Sequence, residues 1–317
     1  MIMTSPLLHC TAVAMKLTKK EHIVPRMLLS QFIAADGKLR VYEKDKPLRV
    51  SKPENECVES KYFEFEFRGK KTNNRYENWL SQVEGNAVAI LEGIKHRRIL
   101  TRQEAEIWAT FVAALFGRTR KVKAQISNAM SQMGRHQDNP DYVRGIQLAL
   151  LEHGEFHHSE DIQRAITEIH AAMNADPSYF FVSALPNRVR IIAPDILARD
   201  WHTIAAPEGH SFLISDCPVV TYKVQDGRIF PGVGFGDEKT IVLLPVSPNH
   251  LFVASPRHVE WPTVFSPSGM QNVNRMIVQF AHRNVYAIAE SEDVQRLVDK
   301  EIDKTKFGEN AFVPPVR

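Results

Sequence analysis

The spacing of apolar positions changes along this chain, and each change predicts a different kind of element. In Leu39–Val50, LRVYEKDKPLRV, two short β-prone runs flank Asp45-Lys46-Pro47, which predicts a hairpin because aspartate and proline favour the turn. Tyr62 to Phe67 alternates aromatic and acidic side chains, and period two predicts a further strand. Residues 20–70 thus read as a small β segment. From residue 74 the period lengthens. Tyr76, Trp79, Leu80, Val83, Ala87, Ile90, Leu91 and Ile94 fall on one helical face, with Asn73 or Asn74 as cap. Thr101 and Glu104 have the T-x-x-E spacing of a capping box, and the IWATFVAALF that follows is apolar nearly all round, as a central buried helix would be. Further helices are expected at about 141–153 and 159–173, the second capped by Ser159, before Asp176-Pro177 closes the helical stretch.

Beyond residue 180 the apolar positions come in short runs, VRII, WHTIAA, SFLIS, VVTYK, TIVLLPV and LFVAS, separated by Pro, Gly and Asn. That pattern predicts a mostly antiparallel sheet. A helix opening at Ser268 with Val273, Met276, Ile277 and Phe280 on one face, a strand in VYAIA and a last helix from Ser291 complete it, and the tail FVPPVR is expected to be irregular. Helices and strands are segregated along the chain. The expected fold class is therefore α+β, a helical middle region packed with a mostly antiparallel β-rich C-terminal region and a small N-terminal β segment. The organisation expected is a loose tail at 1–14, a region at 15–180 joining the β segment to the helices, and a β-rich region at 181–317, the last two free to share one core.

Composition narrows the class without naming a reaction. Hydrophobic residues make up 44% and charged residues 24% of the 317, which excludes collagen-like and disordered chains. A net charge of +3 permits an anionic partner without requiring one. Cys10, Cys57 and Cys217 form no C-x-x-C pair and suggest neither a disulfide framework nor a cysteine zinc site, so a cytoplasmic location is expected. The first residues lack the basic stretch of a secretion signal, no run reaches about 18 apolar residues, and no membrane partner is expected.

Several short strings together resemble a family. KKEHIVPRMLLSQF, around His22 and closing on Phe32, is similar to the opening of an uncharacterised bacterial family, domain of unknown function 4238, whose members carry H-[YI]-[VI]-P-[RQ] and then L-x-x-F. The resemblance continues through YFEFEF, the W-L-x-x-V-E of Trp79–Glu84, the F-x-x-x-L-x-x-R-T of Phe111–Thr119, the ISDCPV of Ile214–Val219 and the LLPVSP of Leu243–Pro248, over about residues 19–290. Cys217 stands where that family would have Asn. The resemblance implies no activity and no cofactor, so the chemistry has to be argued from side chains.

Three titratable residues of complementary type stand out. His22 precedes a proline that disfavours helix, which suits either an imidazole fixed in a cleft or a buried histidine making one hydrogen bond. Glu84 lies at the edge of the stripe of Leu80, Ala87 and Leu91, where it can bind a metal, act as a base, or pair with an arginine such as Arg118 of the next helix. Asp216 follows the apolar FLI and leads into a proline turn, a place for a catalytic carboxylate and equally for an ordinary turn former. Arg118 and Arg120, with Lys121 and Lys123, form the densest basic cluster, able to clamp phosphate or to complement a helix C-terminus. His153 and His157 are four apart, but Gly154 interrupts the helix that a shared metal would need, and Gly232, Gly234 and Gly236 lack the GK[ST] of a phosphate loop.

The function expected is an intracellular hydrolase acting on phosphodiesters, in its sharpest form a metal-dependent nuclease. His22, Glu84 and Asp216 would converge as catalytic residues, Arg118 and Arg120 would hold phosphate, and Glu84 with Asp216 would hold one divalent ion such as Mg2+. Nucleic acid or another anionic ligand is the partner this implies. The alternative is a noncatalytic binding or regulatory protein in which the same residues form a structural network.

Overall fold

The N-terminal β segment consists of very short strands held by contacts distant in sequence. In the computed structural model, which describes residues 20–67, 70–71, 75–135, 178–257 and 259–305 and isolated helical positions at 140, 160, 164, 167, 168 and 171, it opens with Glu21–His22 (β1) and one helical turn, Arg26–Leu29 (α1). Leu39–Tyr42 (β2) and Arg49–Ser51 (β3) form the expected antiparallel hairpin, and Val58–Glu59 (β4) returns to pair with β1. The six-residue strand expected of YFEFEF is not formed. Tyr62 and Phe63 are buried in a turn, and only Glu66–Phe67 (β5) is extended, paired with Lys70–Lys71 (β6). A side-chain acceptor explains the departure: the Phe63 N–H donates to the Glu21 carboxylate at 2.8 Å and so needs no ladder.

The helical middle follows its pattern closely. Arg75–Lys95 (α2) buries the predicted face, with Leu80, Val83, Ala87, Ile90, Leu91 and Ile94 enclosed. Arg102–Gly117 (α3) begins with the expected capping box, in which the Thr101 hydroxyl accepts the Glu104 N–H and the Glu104 carboxylate accepts the Thr101 N–H. Arg120–Arg135 (α4), Ser178–Ser183 (α5) and Leu185–Leu197 (α6) continue the helical layer. VRII, expected to be a strand, lies inside α6. Leu185, Val189 and Ile196 share one helical face that packs beside α3, and this packing outweighs the β preference of the branched residues. Arg188 fastens the junction by donating to the carbonyls of Gly117, Phe180 and Phe181 at the ends of α3 and α5. The helices expected at 141–153 and 159–173, the His153–His157 pair and the two chain tails fall outside the described residues, apart from the isolated positions named above.

The C-terminal region supplies a central sheet. Asp200–Ala205 (β7), Ile214–Ser215 (β8), Val220–Gln225 (β9), Arg228–Pro231 (β10), Ile241–Ser247 (β11) and His250–Ser255 (β12) are followed by Pro267–Phe280 (α7), Val285–Ala287 (β13) and Glu292–Glu301 (α8). Five strands pair antiparallel in the order β10-β9-β11-β12-β7. Every residue of β11 is buried, which an alternating strand allows only when both faces are covered. Val242, Leu244, Val246 and Phe252 join the core made with α2, α3 and α6, where the Trp108 ring meets Phe252 edge-on at 5.7 Å; Ile241, Leu243, Leu251 and Val253 join a second core with α7 and α8. Each fully buried side chain of this kind contributes roughly 1.5–3 kcal/mol. At the open edge, β10 is exposed throughout and ends in Pro231.

A second sheet, β3-β2-β13-β8, joins the two ends of the described chain, with Tyr42 opposite Val285. The first core likewise draws residues from Ile23 to Tyr286. The glycine-rich segment around Gly234 is a loop gathered by Arg199, which donates to the carbonyls of Phe235, Asp237 and Thr240. Eight helices and antiparallel sheets among the described residues make the fold α+β.

Candidate active site

β1 has only two residues, yet it is fixed from both sides. It pairs with β4 through Glu21↔Glu59 and His22↔Val58, and the Ile23 N–H donates to the Cys57 carbonyl at 2.7 Å. Alternation along this strand sends Glu21 into the interior and His22 toward α2. Pro25, with no N–H to satisfy, opens α1, and the buried Leu28 and Leu29 clamp that turn to the core. On the facing helix, Glu77, Ser81, Glu84 and Val88 recur at i, i+4, i+7 and i+11, a stripe bordering the buried one.

Between these two walls lies a cleft of about 460 Å3. His22, Arg26, Met27 and Ser30 line one side, and Glu77, Ser81, Glu84, Gly85 and Val88 line the other. Its size is that of a small-ligand site. A smaller groove of about 180 Å3 between α2 and α3 offers one carboxylate, Glu106, and no imidazole, so it carries less chemistry.

The two titratable walls differ in charge state. Burial holds the His22 imidazole below its usual pKa, with Glu84 opposing and Arg118 and Arg26 acting in the same direction as burial. Its Nε2 is enclosed without a hydrogen-bond partner among the described residues, so the lost hydration of a charged ring is not compensated there and the neutral form is favoured. Burial, reinforced by the negative charges of Glu21 and Glu84, pushes the Glu77 carboxyl up to about 7. Glu77 has no ion pair or hydrogen bond to its carboxylate among the described residues, whereas Glu84 accepts from Arg118 Nη1 at 2.6 Å. Arg118 is 1% exposed at the end of α3, and the ion pair is its route out of an otherwise apolar burial.

The structure thus brings His22, Glu84 and Arg118 together and places Asp216 and Arg120 elsewhere. Asp216 is 2% exposed and does not line the cleft. Its Oδ1 accepts the His282 N–H at 2.8 Å, and its Oδ2 accepts those of Arg283 and Asn284 at 2.9 and 3.2 Å, so the carboxylate holds the turn between α7 and β13. The divalent ion expected between Glu84 and Asp216 lacks its second carboxylate for that reason. Among the described residues no group of three or more His, Cys, Asp or Glu is arranged to hold a metal ion. The basic cluster also turns inward. Arg120 pairs with Glu59 at 3.1 Å, Lys121 with Asp303 at 3.0 Å, and the Lys123 ammonium lies 4.3 Å from the centre of the Tyr62 ring. Arg26, exposed and without an ion pair among the described residues, is the cation that the cleft presents to solvent.

Comparison with known families settles the relationship: a family described as "Protein of unknown function (DUF4238)" matches residues 20–291. The chain belongs to the DUF4238 family. No curated protein and no solved structure matches it. In this DUF4238 member the family strings around His22, Trp79–Glu84 and Phe111–Thr119 supply β1, the cleft face of α2 and the Arg118 that pairs with Glu84. Sequence reasoning passed over Glu77 and Arg26. Glu77 stands seven residues before Glu84, two helical turns up the same stripe, a spacing that could have flagged it. Arg26 follows Pro25 directly, but nothing in its spacing says that its side chain will be left unpaired.

Among the described residues no helix is long and apolar enough to cross a membrane. Cys57 and Cys217 are both free and buried, and burial pushes both thiols up, Cys57 with the Tyr286 hydroxyl 3.0 Å from its sulfur. Neither has the depressed pKa that a thiolate nucleophile requires.

Proposed function

We propose that the cleft between β1 and α2 performs general acid–base hydrolysis of a phosphodiester, the protein acting as a cytoplasmic hydrolase on nucleic acid or a related anionic ester. One observation carries this reading: an imidazole held neutral and a carboxyl poised near neutrality, Glu77 unpaired, line the same cleft beside a solvent-facing arginine. His22 takes a proton from the nucleophile, Glu77 gives one to the leaving oxygen, and Arg26 receives the phosphoryl charge. Glu84 is a positioning residue here, since its carboxylate is engaged with Arg118.

A turnover assay on the full chain with bis(p-nitrophenyl) phosphate and labelled oligonucleotides, run with Mg2+ and with chelator, tests the reading. His22→Gln and Glu77→Gln are each expected to lower turnover by roughly 100- to 10,000-fold. Full turnover in both variants, or none in the parent, would defeat it. The second reading, a noncatalytic binding protein, is favoured by the Glu84–Arg118 pair and the Asp216 turn, which are engaged as structural contacts. On that reading an anionic ligand binds through Arg26 and is released unchanged.

A further inference from the structure

We infer that the substrate of this cleft brings its own nucleophile: it is a ribonucleic acid, cut through the ribose 2′-hydroxyl. This rests on the acid–base reading above and narrows it. In-line displacement at phosphorus needs a base on the side of the entering oxygen and an acid on the side of the leaving one. His22 on the strand wall and Glu77 on the helix wall are two such groups facing a single cleft. A water nucleophile must also be held in line with phosphorus. The remaining carboxylate on the stripe, Glu84, is drawn to Arg118 and is poorly placed to do that. A 2′-hydroxyl is already tethered next to its phosphorus, and an intramolecular nucleophile of this kind carries an effective molarity of about 10^5 M or more, so two proton-transfer groups and one cation suffice. The 2′-hydroxyl is also what separates RNA from DNA. Met27 and Val88, on opposite walls, offer apolar surface to a ribose or base while Arg26 meets the phosphate.

The chemistry closes without a co-reactant. The His22 imidazole removes the 2′-hydroxyl proton, and the oxygen forms a bond to phosphorus. The P–O5′ bond breaks with its electron pair on O5′, and the Glu77 carboxyl supplies the proton that makes the 5′-hydroxyl. The products are a 2′,3′-cyclic phosphate and a 5′-hydroxyl end. Exchange with solvent returns the proton to Glu77 and takes it from His22.

The test incubates the full-length protein with three oligonucleotides of one sequence, as RNA, as DNA and as 2′-O-methyl RNA, and identifies the ends by mass spectrometry. RNA is expected to yield 2′,3′-cyclic phosphate ends, with the other two cut at least about a thousand-fold more slowly. His22→Gln and Glu77→Gln should each remove the RNA activity while leaving the protein folded, with Glu77→Gln melting no lower than the parent. Comparable cutting of DNA, or RNA ends without a cyclic phosphate, overturns the RNA inference and leaves the acid–base reading intact if both variants still lose activity. Absence of cleavage of all three, together with no turnover of bis(p-nitrophenyl) phosphate, overturns both. Methylation of the substrate's hydroxyl leaves the protein untouched, so this arm remains decisive even if a variant folds poorly.

Discussion

Asp216 and Glu77 are both carboxylates whose ionisation burial opposes, and they are answered in opposite ways. Around Asp216, three backbone N–H groups converge on the two oxygens and solvent is shut out. Around Glu77 there is no such donor among the described residues, and the side chain borders a cleft. A carboxylate that completes the backbone's hydrogen bonding is part of the architecture, because removing it leaves donors stranded. One with a perturbed pKa and spare bonding capacity beside a cavity is available for proton transfer. The difference lies in what already surrounds each oxygen.

The contrast can be broken most forcefully at Asp216. Asp216→Ala strands the N–H groups of His282, Arg283 and Asn284 and is expected to cost about 3–5 kcal/mol in urea denaturation, while Asp216→Asn retains one acceptor oxygen and costs less. If both variants unfold at the parent's midpoint, Asp216 is not the structural member of the pair. Glu77→Gln should act in the other direction. Its carboxyl titrates at about 7 when folded against an ordinary value of 4.5, so the stability that it contributes is complete below about 4.5 and is lost as pH rises through 7. Discounted for partial exposure, the parent gives up on the order of 2 kcal/mol by pH 8, and Glu77→Gln should remove that loss in melting curves across this window. A parallel pH dependence in parent and variant would assign the shift elsewhere. The smallest effect is expected where charges meet in open solvent. Arg102 and Glu106 pair at 3.0 Å with Arg102 91% exposed, and Arg102→Ala should change stability by less than about 0.5 kcal/mol. A larger loss would mean that exposure is a poor guide to which ion pairs matter in this protein.

What the sequence made legible follows the same division between local and assembled features. The α2 stripe and the Thr101–Glu104 box were readable because helix period and capping are set within a few residues. The pairing of Glu84 with Arg118 was among the readings of Glu84, since the two belong to successive helices. Nothing local revealed that Tyr62 and Phe63 would leave the alternating run, because their partner Glu21 lies about forty residues away in the chain. VRII failed for a related reason, its branched residues being recruited by α3. Asp216 was correctly placed at a strand end, but only the approach of residues 282–284 decided between its two roles. Glu77 was missed because its significance lies in what does not contact it.

Pro231 bears on how this molecule behaves among its own copies. The β9–β10 hairpin carries Val224, Ile229 and Phe230 into solvent on an open sheet edge, the kind of surface that recruits a neighbouring strand into aggregates. Gly232 donates inward to Thr221, so the nitrogen of Pro231 lies on the outer side of the ladder, where any other residue would offer a proton. Proline offers none, and a strand arriving at that edge finds an interrupted row of donors. The hairpin can therefore display apolar side chains without serving as a template for runaway self-association.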